Sequence, residues 1–242
     1  MSKRRRWAVV PAAGVGQRMG GAQPKQYLEL AGRPLVHWTL EALAPLEAEA
    51  IVLVVAPKDP YIDVLAPALS ARIPGLEILP KGGASRTESV AAGLSALAER
   101  AAPEDWVWVH DAARPCLGVP ACAALRAVEG EAEGGALLAQ PMDETVKTVA
   151  AGRVQGTVDR SALWRAQTPQ GASFASLSEA LARALAEAPE AITDEASALE
   201  RLGLAPRIVA GEASNLKVTH PEDLALATFW LQQHGRWTPT CA

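Results

Sequence analysis

Short apolar runs alternate along the chain with stretches whose apolar residues recur at helical spacing. Trp7–Pro11, Ala50–Val55, Glu77–Leu79, Trp106–His110, Ala136–Gln140 and Arg207–Val209 read as strands. Several are apolar on both faces, the pattern of strands covered on both sides in a largely parallel sheet. Between them, Leu35–Leu43, Thr87–Glu99 and Ala121–Glu131 have helical periodicity, and the Ala-rich segment Ala172–Glu190 is amphipathic helix material. Alternating strand and helix predict a layered α/β fold with right-handed crossovers. Ser85 with Glu88, and Thr219 with Glu222, have capping-box spacing, and Pro221 suits the first turn of a last helix.

One stretch departs from this rhythm. Pro141–Gly171 holds two short polar strand candidates, Thr145–Val149 and Val154–Val158, with Gly152 between them. This reads as a β-arm at about 141–171 that leaves the main sheet within a single domain spanning 1–242. An exposed hairpin is marginal alone, so a partner subunit is the natural place to bury it.

Composition narrows the function classes. The 242 residues are 49% hydrophobic, enough for one domain with a substantial core. The net charge of −4 and the lack of a basic cluster argue against nucleic acid as a partner. Anionic substrates would instead be drawn by a few focused side chains and backbone amides. No apolar run reaches the roughly eighteen residues that a membrane helix needs. The basic start SKRRRW is followed by an apolar run that Pro11 and Gly14 break too early for a signal peptide. Cys116, Cys122 and Cys241 form no C-x-x-C pair and the four histidines are scattered, which favours a reducing compartment over a disulfide or zinc scaffold.

Four segments carry candidate chemistry. Pro11-Ala12-Ala13-Gly14-Val15-Gly16-Gln17-Arg18-Met19-Gly20 follows the first strand, and its small residues let backbone amides approach a phosphate chain. It is no Walker A loop, lacking Gly-Lys-Ser/Thr, and its third glycine falls one residue late for a dinucleotide fingerprint. Pro24-Lys25-Gln26-Tyr27 adds a second cation to Arg18, and the pair suits charge building on a leaving pyrophosphate. Gly82-Gly83-Ala84-Ser85-Arg86-Thr87-Glu88-Ser89 joins a strand to a capped helix, where sheets of this kind place ligands. A turn with an N-cap explains Ser85 and Glu88 but not Arg86 and Ser89. His110-Asp111-Ala112-Ala113-Arg114-Pro115 puts Asp111 at the carboxyl end of a buried strand, a position suited to Mg²⁺. A histidine beside a strand or helix cap more often packs than reacts, so His110, His37 and His220 are given no catalytic role.

Together these segments resemble the 2-C-methyl-D-erythritol 4-phosphate cytidylyltransferase family of the non-mevalonate isoprenoid pathway. The resemblance continues through Thr157-Val-Asp-Arg160, Leu163-Trp164, Gln167-Thr168-Pro169-Gln170, Thr193-Asp-Glu-Ala-Ser197 and Asn215-Leu-Lys217-Val-Thr219. It implies a Rossmann-like three-layer α/β/α sandwich and a cytoplasmic homodimer held by the β-arm. It also implies a Mg²⁺-dependent transfer of CMP from CTP to a sugar-alcohol phosphate. Pro11, Ala12, Ala13, Gly14 and Gly16 would line the CTP phosphates, with Arg18, Lys25 and Lys217 as catalytic cations and Asp111 as the metal carboxylate. Gly83, Ser89 and Ala112 would contact the cytidine. Thr145, Arg160 and Thr168 would bind the methylerythritol phosphate, Arg160 and Thr145 coming from the partner's arm. Ala84 stands where the family often carries an acidic residue, so any cytosine contact there would be backbone. Ribitol 5-phosphate as the acceptor, and a non-catalytic CTP sensor, are the competing readings.

Overall fold

Residues 7–10, the middle of the first strand, are all buried and point alternately into two different cores. In the computed structural model, which describes residues 4–14 and 23–238, Trp7 and Val9 join Val52, Val54, Leu94, Leu97, Leu177 and Leu181 on one face of the sheet. Ala8 and Val10 join Leu40, Leu53, Ile62, Trp108 and Leu125 on the other. Gly16, Arg18 and Cys241 lie outside the described residues.

The chain runs β1 (Arg6–Pro11), a small ribbon of β2 (Glu29–Leu30) and β3 (Arg33–Pro34), α1 (Leu35–Ala42), β4 (Ala50–Val54) and α2 (Pro60–Ser70). Next come β5 (Leu76–Leu79), α3 (Arg86–Leu97), β6 (Trp106–Val109), α4 (Val119–Val128) and β7 (Ala136–Pro141). Then follow β8 (Val146–Ala150), β9 (Arg153–Val158), β10 (Trp164–Ser173), α5 (Phe174–Glu187), α6 (Glu195–Arg201), β11 (Arg207–Ala210) and α7 (Asp223–Gln233). The main sheet has seven strands in the order β11-β7-β10-β6-β1-β4-β5. Every pairing among them is parallel except those of β10, which runs antiparallel to β6 and β7. Helices on both faces complete three layers, as the alternating pattern predicts. A third apolar cluster seats α7 on Leu30, Leu35 and Trp38.

Several details differ from the sequence reading. β10 has no counterpart there, because its buried middle is Gln167-Thr168-Pro169-Gln170 and carries neither apolar alternation nor strand propensity. The pairing of β10 with β7 slips between Ala166 and Gln170, which accommodates Pro169 within the sheet. Residues 164–171 therefore belong to the main sheet, and the protruding ribbon is confined to β8 and β9. The helix placed at Ala172–Glu190 spans Phe174–Glu187, since Ala172 and Ser173 end β10. Helix α2 has no counterpart in the sequence pattern either: it is capped by Asp59, with Pro60 in its first turn, but buries only Ile62 and Leu69 and contains Pro67. Finally, the capping box at Thr219 and Glu222 does not form. The Asp223 carboxylate instead accepts the Thr219 and His220 N–H groups at 2.7 and 2.8 Å.

Gly171 shows how closely β10 is held. A methyl group there would collide with the Val107 carbonyl oxygen and, at 2.6 Å, with the Trp108 ring. Cys116 and Cys122 are buried, and burial pushes both thiols up to about 12, so neither is reactive at neutral pH.

Candidate functional site

The sheet opens a cleft where β1 lies between β6 on one side and β4 on the other, at the carboxyl ends of these strands. Its volume is about 500 Å³, and the loops after β1, β5 and β6 form its walls.

The first wall is Pro11 to Gly14. Gln26, itself buried, donates through Nε2 to the carbonyls of Ala12 (2.6 Å) and Gly14 (3.2 Å). Two carbonyl acceptors are thereby occupied by a side chain outside the loop, which suits a wall that must meet an anion with its amides. The second wall is Gly82 to Arg86. An added methyl at Gly82 would meet Ala13 Cβ and, at 2.8 Å, the Val55 carbonyl, so this glycine lets the two walls touch. Ser85 caps α3 by accepting the Glu88 N–H at 3.1 Å. The Glu88 carboxylate accepts the Ala84 N–H at 2.7 Å, one residue away from the reciprocal bond of a capping box. Ser89 Oγ accepts the Gly83 N–H at 3.1 Å and donates to the Ser85 carbonyl at 3.0 Å, so it shapes this wall from within.

The floor is ionic. Asp111 Oδ1 accepts from Arg86 Nε at 3.0 Å, and Oδ2 faces Lys217 Nζ at 2.9 Å and Arg114 Nε at 3.4 Å. Arg86 also grips Glu195 with both terminal nitrogens, at 2.6 and 2.9 Å. Three cations thus face two carboxylates, leaving one positive charge in excess. Burial alone would raise the Asp111 carboxyl, but Arg86, Lys217 and Arg114 outweigh it and hold the group well below the ordinary carboxylate range. Burial likewise works against the Arg86 charge, and Glu195 and Asp111 overcome it. Lys25, on a short 3-10 turn, donates from Nζ to the Val218 carbonyl at 2.9 Å. This brings it beside Lys217, its neighbour in the cleft though far away in the chain.

Most of the expected site residues meet here. Pro11, Ala12, Ala13, Gly14, Lys25, Gly83, Ser89, Asp111, Ala112 and Lys217 all line the cleft. Gly16 and Arg18 lie outside the described residues. Thr145 and Arg160 are exposed, flank the β8–β9 ribbon at the same end, opposite its turn, and do not line this cleft. Thr168 is buried at 3% exposure beneath Asp111, with its hydroxyl bonded inside the protein. Arg114 and Glu195 also belong to the floor without having a role in the sequence reading: Glu195 meets Arg86 from 109 positions away, and Arg114, three residues from Asp111, is tied to the Asn215 carbonyl 101 positions away.

A family model described as 2-C-methyl-D-erythritol 4-phosphate cytidylyltransferase (IspD) matches residues 7–233. The enzyme of that name from Chromobacterium violaceum is 50% identical over 91% of this chain and 95% of its own length. The one from Dechloromonas aromatica is 47% identical over 94% of this chain and 98% of its own length. Among solved structures, a 4-diphosphocytidyl-2C-methyl-D-erythritol synthase superimposes with a TM-score of 0.82 at 38% identity, covering 96% of this chain and all of that one. The Francisella tularensis 2-C-methyl-D-erythritol 4-phosphate cytidylyltransferase gives a TM-score of 0.78 at 30% identity, over 94% of this chain and 100% of its own. On this agreement in sequence and in fold, the chain belongs to the 2-C-methyl-D-erythritol 4-phosphate cytidylyltransferase family.

Proposed function

We propose that the protein transfers CMP from CTP to 2-C-methyl-D-erythritol 4-phosphate, forming 4-diphosphocytidyl-2-C-methyl-D-erythritol and pyrophosphate. The observation that carries this reading is the convergence of Lys25, Lys217 and Asp111 on one cleft between two walls of small residues, in a chain of this family. The acceptor phosphate is already largely dianionic near neutral pH, because its second pKa is about 6. It needs no general base, in keeping with a cleft whose described lining includes no histidine or cysteine.

The difficulty of the reaction is electrostatic, an anion approaching an anionic α-phosphorus. Pro11 to Gly14 hold the triphosphate, while Lys25 and Lys217, with Arg18 as a further cation, stabilise the in-line transition state and the leaving pyrophosphate. Gly83, Ser89 and Ala112 form the cytidine end. Asp111 is the only carboxylate on the described lining, and no cluster of three or more potential ligand side chains occurs among the described residues. One hard oxygen donor fits Mg²⁺, which characteristically takes one or two carboxylates and completes its shell with phosphate and water. Asp111 would hold that ion, and its chemistry is to neutralise charge on the phosphate oxygens.

The acceptor end is completed by a second copy. Cross-strand partners Val149 and Val154 lie 60% and 63% exposed on the β8–β9 ribbon, apolar surface that a twofold partner would cover. Thr145 and Arg160 on that ribbon then reach the partner's cleft. Val149→Lys with Val154→Lys is expected to turn a dimer into a monomer in sedimentation analysis and to abolish use of the acceptor. A wild-type protein that sediments as a monomer at full activity overturns this part.

The reaction is tested by pyrophosphate release with Mg²⁺, setting CTP against ATP, GTP and UTP and methylerythritol phosphate against ribitol 5-phosphate. Release only with CTP and methylerythritol phosphate is expected. Preference for ribitol phosphate would overturn the acceptor, and CTP binding without release would make the protein a sensor. The low exposure of Cys116 and Cys122 and the absence of a long apolar helix among the described residues support placement in the cytoplasm.

A further inference from the structure

Gln26 follows Lys25 on the 3-10 turn and is only 4% exposed. The two hydrogens of its side-chain nitrogen go to one loop, to the Ala12 carbonyl at 2.6 Å and the Gly14 carbonyl at 3.2 Å. A carbonyl can only accept, so Nε2 and not Oε1 must face that loop. The Ala12 N–H is meanwhile donated to the Val54 carbonyl at 2.7 Å, extending the pairing of β1 with β4. Ala12 is thus pinned at both of its backbone groups. The peptide that joins it to Ala13 is trans and planar, so the Ala13 N–H points opposite to the Ala12 carbonyl, away from Gln26. No acceptor among the described residues takes that N–H, and Ala13 lines the cleft.

The turn that carries Gln26 is itself anchored on either side of it. Lys25 Nζ donates to the Val218 carbonyl at 2.9 Å, and the Tyr27 hydroxyl donates to the Asp59 carboxylate at 2.6 Å. The Tyr27 ring also stacks on Tyr61, with centroids 5.4 Å apart. From this geometry we infer that Gln26 is a positioning residue for the phosphates of the nucleotide. It keeps the Ala12 and Gly14 carbonyls to itself, so that the loop meets the phosphate chain with N–H groups and not with lone pairs. It also ties that loop to the turn that carries Lys25, so that the amides and the cation keep one arrangement. Without these bonds either carbonyl is free to turn toward the phosphates and repel them. The role rests on the CTP reaction proposed above and adds to it a residue that acts through the loop.

Gln26→Met keeps the length of the side chain and removes both donors. KM for CTP should rise about 10-fold or more, the effect of weakening hydrogen bonds to a charged group, while KM for the acceptor stays within about threefold. Equilibrium binding of CTP, CMP and cytidine in the presence of Mg²⁺ gives a readout that a merely structural role would not move. A residue that positions phosphates predicts a graded loss: largest for CTP, smaller for CMP, and within about twofold for cytidine. An equal loss for all three ligands means that the cleft is distorted as a whole, and it overturns the proposal. Unchanged CTP binding in the folded variant overturns it too.

Gln26→Glu, nearly the same in shape, is the second variant if Gln26→Met folds poorly. An ionised carboxylate cannot donate, so the same graded loss is expected. Tyr27→Phe cuts the bond of the same turn to Asp59 and leaves the loop bonds in place. It should lower the urea midpoint and keep CTP binding within about threefold of the wild type. A phosphate-graded loss in Tyr27→Phe as large as that in Gln26→Met would assign the effect to the turn and overturn the role of Gln26. A wild type that binds CTP, loses it in this graded way in Gln26→Met, but releases no pyrophosphate overturns the proposed reaction and leaves the role of Gln26 standing. A wild type that binds no CTP overturns both.

Discussion

Lys217→Ala is expected to lower kcat by about 10²–10³-fold, the usual effect of removing one group that stabilises transition-state charge. The side chain reaches the cleft from the segment after β11 and ends 2.9 Å from Asp111, beside Lys25. In the absence of substrate its charge is answered by Asp111. When the triphosphate enters, the excess positive charge of the floor becomes available to it, and Lys217 is well placed to turn to it because its side chain is 38% exposed. Arg86 and Arg114 still face Asp111 after the substitution, so the loss should fall on turnover, with stability changed by less than about 1 kcal/mol. Lys217→Arg should restore only part of the activity, since a planar fork does not replace a compact ammonium. Steady-state kinetics alongside urea unfolding would check both halves. Turnover within about threefold of the wild type would remove Lys217 from the reaction.

Asp111→Asn should be damaging in a different way, to the fold as well as to the reaction. Asp111 is 7% exposed and is the only anion between Arg86, Arg114 and Lys217. An amide in its place leaves those cations crowded with Glu195 as the remaining counter-charge. Removing one member of a buried ion pair costs about 3–5 kcal/mol. The expected result is a clear fall in the urea midpoint together with loss of nucleotidyl transfer. The same charge cluster sets a pH dependence. The Asp111 carboxyl titrates far lower in the folded protein than the value near 3.9 usual for an unfolded chain. Its contribution to stability is therefore present in full above that unfolded value and is lost as pH falls below it. The wild type should lose stability below about pH 4 more steeply than Asp111→Asn does. Asp105, also depressed despite the opposing effect of burial, supplies a part of this acid sensitivity that both proteins share. Unfolding midpoints that fall in parallel for the two proteins would refute the assignment to Asp111.

The sequence by itself determined the layered α/β architecture, because strands such as Ala50–Val54 and Trp106–Val109 are apolar on both faces and can be stable only between two layers. It also pointed to part of the cleft lining, since short motifs carry their chemistry locally: Pro11 to Gly14, Lys25 and Asp111 were legible as residue types in position, whereas Lys217 followed only from the family resemblance. Tertiary structure alone decided the partnerships. Glu195 carries no local sign of its role until folding brings it under Arg86, and no local rule pairs residues 109 positions apart. β10 was illegible for a related reason. Its buried polar residues are made tolerable by distant partners, with Gln170 donating to Asp194 and accepting the Ala196 N–H, and Gln167 donating to the Glu212 carbonyl. A buried polar side chain looks like loop sequence until its partner is known, because the cost of burying it is offset only by that hydrogen bond. Thr168 is the sharpest case, its hydroxyl held by the Asp111 N–H and by His110 Nδ1, 57 and 58 positions away.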